Sequence, residues 1–140
     1  MSDSINSQLI LRLYVEALNG GTFATVVDDV AASSVIVHEP DGDRTGPNAI
    51  KDTMRALHEG FENLHFDVQD LIESGDRVVV RWTMHGQHFG SFAGFPATGK
   101  TVEQKAIVIY RLADERVVEV WPQIDRFGMA RQLGADRRQS

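Results

Sequence analysis

The chain contains no cysteine. That removes disulfide scaffolds, thiolate nucleophiles and thiolate metal sites together. Lysine is scarce, and Lys51, Lys100 and Lys105 all fall outside the faces predicted to be interior, so an amine nucleophile is not expected. No apolar run approaches the ~20 residues of a membrane span. Met1-Ser-Asp-Ser lacks the basic start and apolar run of a signal peptide, which makes a cytoplasmic location the default expectation. Positive charge is in deficit: the formal net charge is −6, so neither nucleic acid nor a membrane is an expected partner. Arg131, Arg137 and Arg138 read as a solvated tail. The serines form no Gly-x-Ser-x-Gly elbow. Gly94-Phe-Pro-Ala-Thr-Gly-Lys100 lacks phosphate-loop spacing and precedes a strand. His85 and His88 point opposite ways in a regular strand, and no histidine pair has metal-ligand spacing on one face.

What remains is 140 residues with 42% hydrophobic content, enough for one domain, residues 1–140, that buries roughly two thirds of its unfolded surface. Residues 4–19 place Ile5, Leu9, Leu13 and Ala17 on one helical face, and Gly20-Gly21 ends that helix. Residues 22–32 predict a second helix, 35–39 a strand and 40–46 a turn-rich loop. Pro47 suits the first position of a third helix, whose apolar stripe is Ile50, Met54, Leu57 and Phe61. From residue 65 the period becomes two. Strands are predicted near 66–73, 77–89, 101–111 and 116–125, followed by a short helical tail. Three helices before a mostly antiparallel meander make an α+β arrangement.

Alternation sorts the strand residues into faces. Val78, Val80, Trp82, Met84 and His88 share one face, and Val102, Gln104, Ala106, Val108 and Tyr110 share another. Both apolar faces should look inward, which leaves His88 and Gln104 as buried polar groups in need of partners. His88 either ties down the following loop or takes part in proton transfer. Gln104 makes either a structural bond or a substrate contact. In the last strand, strict alternation sends Glu119, Trp121, Gln123 and Asp125 outward. Pro122 lacks a ladder donor and predicts an edge or a bulge, which would turn Asp125 toward a cavity. Asp125 is otherwise an N-cap for the helix beginning at Arg126. Glu39, Asp41 and Asp43 read as a solvated turn.

The stretch His88-Phe-Gly-Ser-Phe-Ala-Gly-Phe-Pro-Ala-Thr-Gly-Lys100, with Glu119-Val-Trp-Pro-Gln-Ile-Asp125 and Arg131-Gln-Leu-Gly134, resembles the SnoaL-like polyketide cyclase group of the nuclear-transport-factor-2-like superfamily. The resemblance covers nearly the whole chain. It implies a cone-shaped, curved antiparallel sheet wrapped around three N-terminal helices, with an internal pocket. It also implies cofactor-free, metal-free acid–base chemistry on a small hydrophobic carbonyl-containing ligand of polyketide type, by intramolecular aldol-type ring closure. A histidine near position 38 lies near the cavity mouth in similar sequences. The candidate catalytic residues are therefore Asp125, His88 and His38. The candidate substrate contacts are Trp82, Gln104, Met84, Phe61, Met54 and Trp121. The sequence departs from the aromatic polyketide cyclases at two points. Residues 101–111 hold no histidine, and 117–124 hold no carboxylate except Glu119. A non-catalytic binding protein of the same fold and an epoxide-opening hydrolase-like member are the alternatives.

Sheet-to-sheet dimers are usual in that superfamily. Val79, Thr83, Ile107, Ile109 and Trp121 make the outer face apolar enough to expect a homodimer here. Gly90, Gly94 and Gly99 with Phe89, Phe92, Phe95 and Pro96 make the 90–100 loop either a flap over the cavity or a fixed plug.

Overall fold

Ser4 begins the first helix by accepting a hydrogen bond from the Ser7 amide, which satisfies one of the free donors of a helix start. The structure, a computed structural model, describes residues 4–134, so Arg137 and Arg138 lie outside the described residues. Helix α1 (Ile5–Arg12) continues through a wider π-helical segment, Leu13–Asn19. Its buried side is Ile10, Leu13, Tyr14, Ala17 and Leu18, while Ile5 is half exposed. The predicted stripe of four-residue steps drifts about 40° per step from a 3.6-residue period, and the true stripe mixes three- and four-residue steps. Helix α2 (Phe23–Val30) buries Val26, Val27 and Val30.

Strand β1 (Ala31–Glu39) starts four residues earlier than predicted and runs out in the same place. The predicted loop after it folds back as a short exposed edge strand, β2 (Gly42–Thr45). Gly42, at φ +132°, supplies the backbone conformation for that return. Helix α3 (Pro47–Gly60) opens on Pro47 and buries Ala49, Met54 and Leu57. Gly60 ends it, so Phe61 is not the last residue of the helical stripe but the first of strand β3 (Phe61–Ser74). Strands β4 (Arg77–His88), β5 (Thr101–Ala113) and β6 (Arg116–Ile124) complete an antiparallel meander. Helix α4 (Arg126–Leu133) follows and ends at Gly134, φ +111°.

The six strands form one sheet in the order β2-β1-β6-β5-β4-β3, with β1 and β6 its parallel pair. Irregular register in β3, between Glu62 and His65 and again between Val68 and Asp70, bends the sheet around the helices. The result is the α+β cone, its inner face on α1–α3 and its outer face open. The inner rows of β4 and β5 follow strict alternation from Val78 to Met84 and from Val102 to Leu112. Among the described residues no helix is long and apolar enough to cross a membrane.

The bulge in β6 sits at Val118, since Arg111 pairs with Glu119 but Leu112 pairs with Val117. Pro122 therefore does not interrupt the strand, and Val120, Pro122 and Ile124 all face inward. The Asp125 amide donates to the Lys105 carbonyl, so odd-numbered β6 amides point at β5. A donor at 122 would point at β1, where pairing stops at Val37 and Val120. The missing proline N–H thus costs the ladder nothing.

Candidate functional site

A cavity of about 520 Å³ opens between α3 and the inner sheet face, a size suited to a small organic ligand. Its closed end is formed by Tyr14, Leu18, Phe66, Trp82, Val108 and Tyr110. Its rim carries Glu39, Thr53, Glu59, Ser91, Phe92 and Arg126. The facing pairs of β5 and β6 are Ala106 with Ile124 and Val108 with Pro122. These two pairs are hydrocarbon, and the next pair, Tyr110 with Val120, brings a phenol to the same wall.

Polar groups enter at three places. At the closed end, the hydroxyl oxygens of Tyr14 and Tyr110 lie 2.6 Å apart. Burial pushes the Tyr110 phenol up to about 12 and holds Tyr14 well above its ordinary value, where the neighbouring Tyr110 adds to the effect. On the β5 wall, the Gln104 side-chain amide donates to the Asp125 carbonyl at 3.2 Å and so joins the sheet to the start of α4. At the rim, Glu39 follows Val35 and Val37 on the inward face of β1. Its side chain is only 14% exposed, and Arg126 holds it at 3.2 Å. Glu39 and Glu59 are the carboxylates of the lining, and Glu59 is exposed.

Of the residues singled out in the sequence, Trp82, Gln104 and Met54 border this cavity. Met84 and Phe61 do not, because both are spent in the core beneath it. Phe61 meets Phe92 edge-on at 4.8 Å and lies 5.6 Å from the His88 ring. Trp121 lies on the outer face, where alternation with the inward Val120 and Pro122 places it opposite Ile109. His38 alternates with the inward Val37 and Glu39 and is on the outer face too. Its ring stacks on Trp121 at 5.1 Å, with Nδ1 2.9 Å from Asp43 and Nε2 2.9 Å from Glu119. Glu119, and then Asp43, raise the His38 pKa, while His38, and then Arg111, lower that of Glu119.

His88 is wholly buried but is not part of the cavity wall. Its Nδ1 accepts the Thr98 amide at 3.2 Å and lies 2.9 Å from the Thr98 hydroxyl, while Nε2 has no partner. The imidazole ties the end of the 90–100 loop to β4. Asp125 is exposed and caps α4, its Oδ1 accepting the Gly128 amide at 2.8 Å. A Cβ at position 128 would collide with that carboxylate, so the glycine is part of the cap. None of the three predicted catalytic side chains enters the cavity.

Glu39, Arg126 and Tyr14 were not among the predicted site residues. The signal for Glu39 was present in the Val35, Val37, Glu39 alternation. The signal for Tyr14 was its spacing from Ile10 and Ala17.

The model of the SnoaL-like polyketide cyclase family matches residues 8–133. Aklanonic acid methyl ester cyclase DnrD of Streptomyces peucetius is 30% identical over 136 residues, covering 89% of this chain and 88% of DnrD. Aklanonic acid methyl ester cyclase DauD of Streptomyces sp. strain C5 is 31% identical over 136 residues, with 89% and 80% covered. The structure of TsrD from Streptomyces laurentii is similar with a TM-score of 0.85 at 26% identity, across 96% of this chain and 99% of TsrD.

Proposed function

The chain belongs to the SnoaL-like polyketide cyclase family, and from that premise we propose that it closes a ring in a polyketide carbonyl compound with Glu39 as the proton-abstracting group. The substrate class is aklanonic acid methyl ester or a carbonyl compound of the same kind, as the names of the two curated relatives suggest. The observation that carries the reading is the enclosed position of Glu39 on the cavity rim, held by Arg126, while Asp125, His38 and His88 are committed elsewhere.

In the reaction, Glu39 removes a proton from carbon between two carbonyls and leaves an enolate. The enolate carbon attacks another carbonyl of the same molecule. One C–C bond forms, the C=O π pair moves onto oxygen, and the proton held by Glu39 returns to that oxygen, so product and substrate are isomers. The apolar walls contribute by holding the chain in a folded, reactive shape, and a donor near the new alkoxide lowers its energy.

The test is Glu39→Gln assayed on aklanonic acid methyl ester. Turnover should fall about 10²–10⁴-fold, the usual worth of a general base, with an unchanged melting curve. Turnover within threefold of the parent would reject Glu39. The hydrocarbon Ala106–Ile124 and Val108–Pro122 pairs favour a second reading, a carrier that binds without converting. Ligand bound by the parent and recovered unchanged would select it. The outer face, with Ile72 60% and Ile107 48% exposed, is proposed as the contact between two copies of the chain.

A further inference from the structure

The closed end of the cavity holds one hydroxyl proton that the protein does not use. The Tyr14 and Tyr110 hydroxyls share one hydrogen bond, so one of their two protons is left over whichever oxygen donates. Tyr14 has a single proton, and the Tyr110 oxygen, 2.6 Å away, is placed to accept it. With the more deeply buried Tyr14 donating, the Tyr110 proton is the one left to face the cavity. Among the described residues the Tyr110 hydroxyl has no partner besides Tyr14. It is also the less enclosed of the pair, 7% exposed against 2%.

We propose that the Tyr110 hydroxyl is the donor that meets a ligand carbonyl oxygen at the closed end of the cavity, with Tyr14 as its positioning residue. Burial keeps this phenol protonated throughout the physiological range. It therefore serves as a hydrogen-bond donor to a carbonyl or a developing alkoxide and not as a base. The strand registers relate it to Glu39. Val37, Val120 and Tyr110 share a row across β1, β6 and β5, and Glu39 lies two residues beyond Val37. At 4.8 Å per strand and 3.3 Å per residue, the two backbones are about 12 Å apart. With both side chains reaching inward, one flat fused-ring ligand can contact both. The inference rests on the cyclase reading for its chemistry, and it adds that the ligand enters with a carbonyl oxygen foremost.

The experiment separates the two readings by measuring binding without turnover. Fluorenone and fluorene share a flat shape and differ by one carbonyl oxygen. In equilibrium dialysis the parent protein should bind fluorenone about tenfold more tightly, equal to about 1.4 kcal/mol. Tyr110→Phe should bind fluorene as before and lose that preference. Tyr14→Phe should lose part of it, again with fluorene affinity unchanged. A Tyr14→Phe, Tyr110→Phe double variant leaves no orphaned hydroxyl, stands in if the single variant is unstable, and should match Tyr110→Phe. A Tyr110→Phe protein that still prefers fluorenone overturns the proposal. So does complete loss of preference in Tyr14→Phe alone, since the donor would then be Tyr14. An inactive Glu39→Gln enzyme beside an unchanged fluorenone preference in Tyr110→Phe would sink this proposal and leave the cyclase reading standing. A parent protein that binds neither compound overturns this proposal too, and leaves the cyclase reading to its own turnover assay.

Discussion

Asp125 and Glu39 are carboxylates close to the same rim, and their neighbours give them different work. Asp125 spends an oxygen on the Gly128 amide, and Glu39 spends one on the half-exposed Arg126 side chain at the cavity edge. Asp125→Ala should cost about 1 kcal/mol of stability, the usual worth of an N-cap, and leave most of the turnover. Melting curves and rates on this variant beside Glu39→Gln would check it. An Asp125→Ala protein that melts like the parent but turns over a hundredfold more slowly would reverse the assignment. His38, displaced from the site, should instead leave its mark on the pH dependence of stability. Its pKa is raised, so its contribution is full below about 6.5 and is lost as pH rises through the higher folded value. The Glu119 pKa is lowered, so its contribution is present above about 4.5 and is lost as pH falls through the lower folded value. The pair therefore stabilises most between those limits. The melting-temperature gap between the parent and His38→Ala should be widest at pH 5–6 and narrow above pH 8, and a gap constant from pH 5 to 9 would remove His38 from that role. The sequence pointed at His38 because the resemblance did. Simple alternation from Val35 and Val37 pointed at Glu39, its neighbour. Which of two adjacent polar residues looks inward depends on a strand's phase, and β1 is anchored by the inward Val35 and Val37.

At the scale of elements, the long periodic segments were legible and the transitions were not. Pro47 marked α3, and alternation in β4 and β5 gave their inner rows residue by residue. Phe61 continued the helical spacing of Met54 and Leu57, so the sequence could not show that Gly60 would end the helix before it. Pro122 drew the bulge to itself, although the extra residue was Val118, an ordinary valine with no local signature. Pairing of β1 with β6 joins residues about 80 positions apart, and only the assembled sheet fixes that register. The 90–100 loop has a fixed base and a tip at the cavity. Its base is tied down, since the Phe89 and Gly90 amides both donate to the Gly60 carbonyl and Thr98 bonds His88. A Cβ at Gly90 would collide with the Glu59 carbonyl, so glycine there permits close approach of two backbones. At the tip, Phe92 and Phe95 exchange backbone bonds of 3.0 and 2.8 Å around Ala93 and Gly94, whose positive φ angles of 52° and 84° suit a tight hairpin turn. Phe92 both lines the cavity and packs on Phe61. Phe92→Ala should therefore lower ligand affinity and also cost about 2 kcal/mol, less than the loss for a fully buried phenylalanine because this ring is only partly buried. A melting temperature equal to the parent's would mean the tip is a free flap, and unchanged ligand affinity would mean it is only a plug.

For the whole molecule, a cone with a ligand inside leaves its outer sheet face to another surface. That face is not uniformly apolar, because Arg81 with Asp70 and Arg111 with Glu119 form ion pairs across it. One row differs. Ile72, Val79, Ile109 and Trp121 are successive cross-strand partners from β3 to β6, so four apolar side chains stand in line across the sheet. Ile72 and Ile107 beside it are the most exposed large aliphatic residues of the sheet. In a two-fold dimer every patch residue is used twice, so the row meets its own copy and the ion pairs, already satisfied within each chain, fall at the polar edge. The expected particle is twice the 15.6 kDa of one chain. Ile72→Glu would remove about 1.5 kcal/mol of burial per copy, or about 3 kcal/mol per dimer, which weakens association at least a hundredfold. Light scattering on parent and variant across the micromolar range measures this directly. A 15.6 kDa parent at high micromolar concentration would end the dimer proposal, and a parent dimer unaffected by Ile72→Glu would move the contact off this row to another part of the surface.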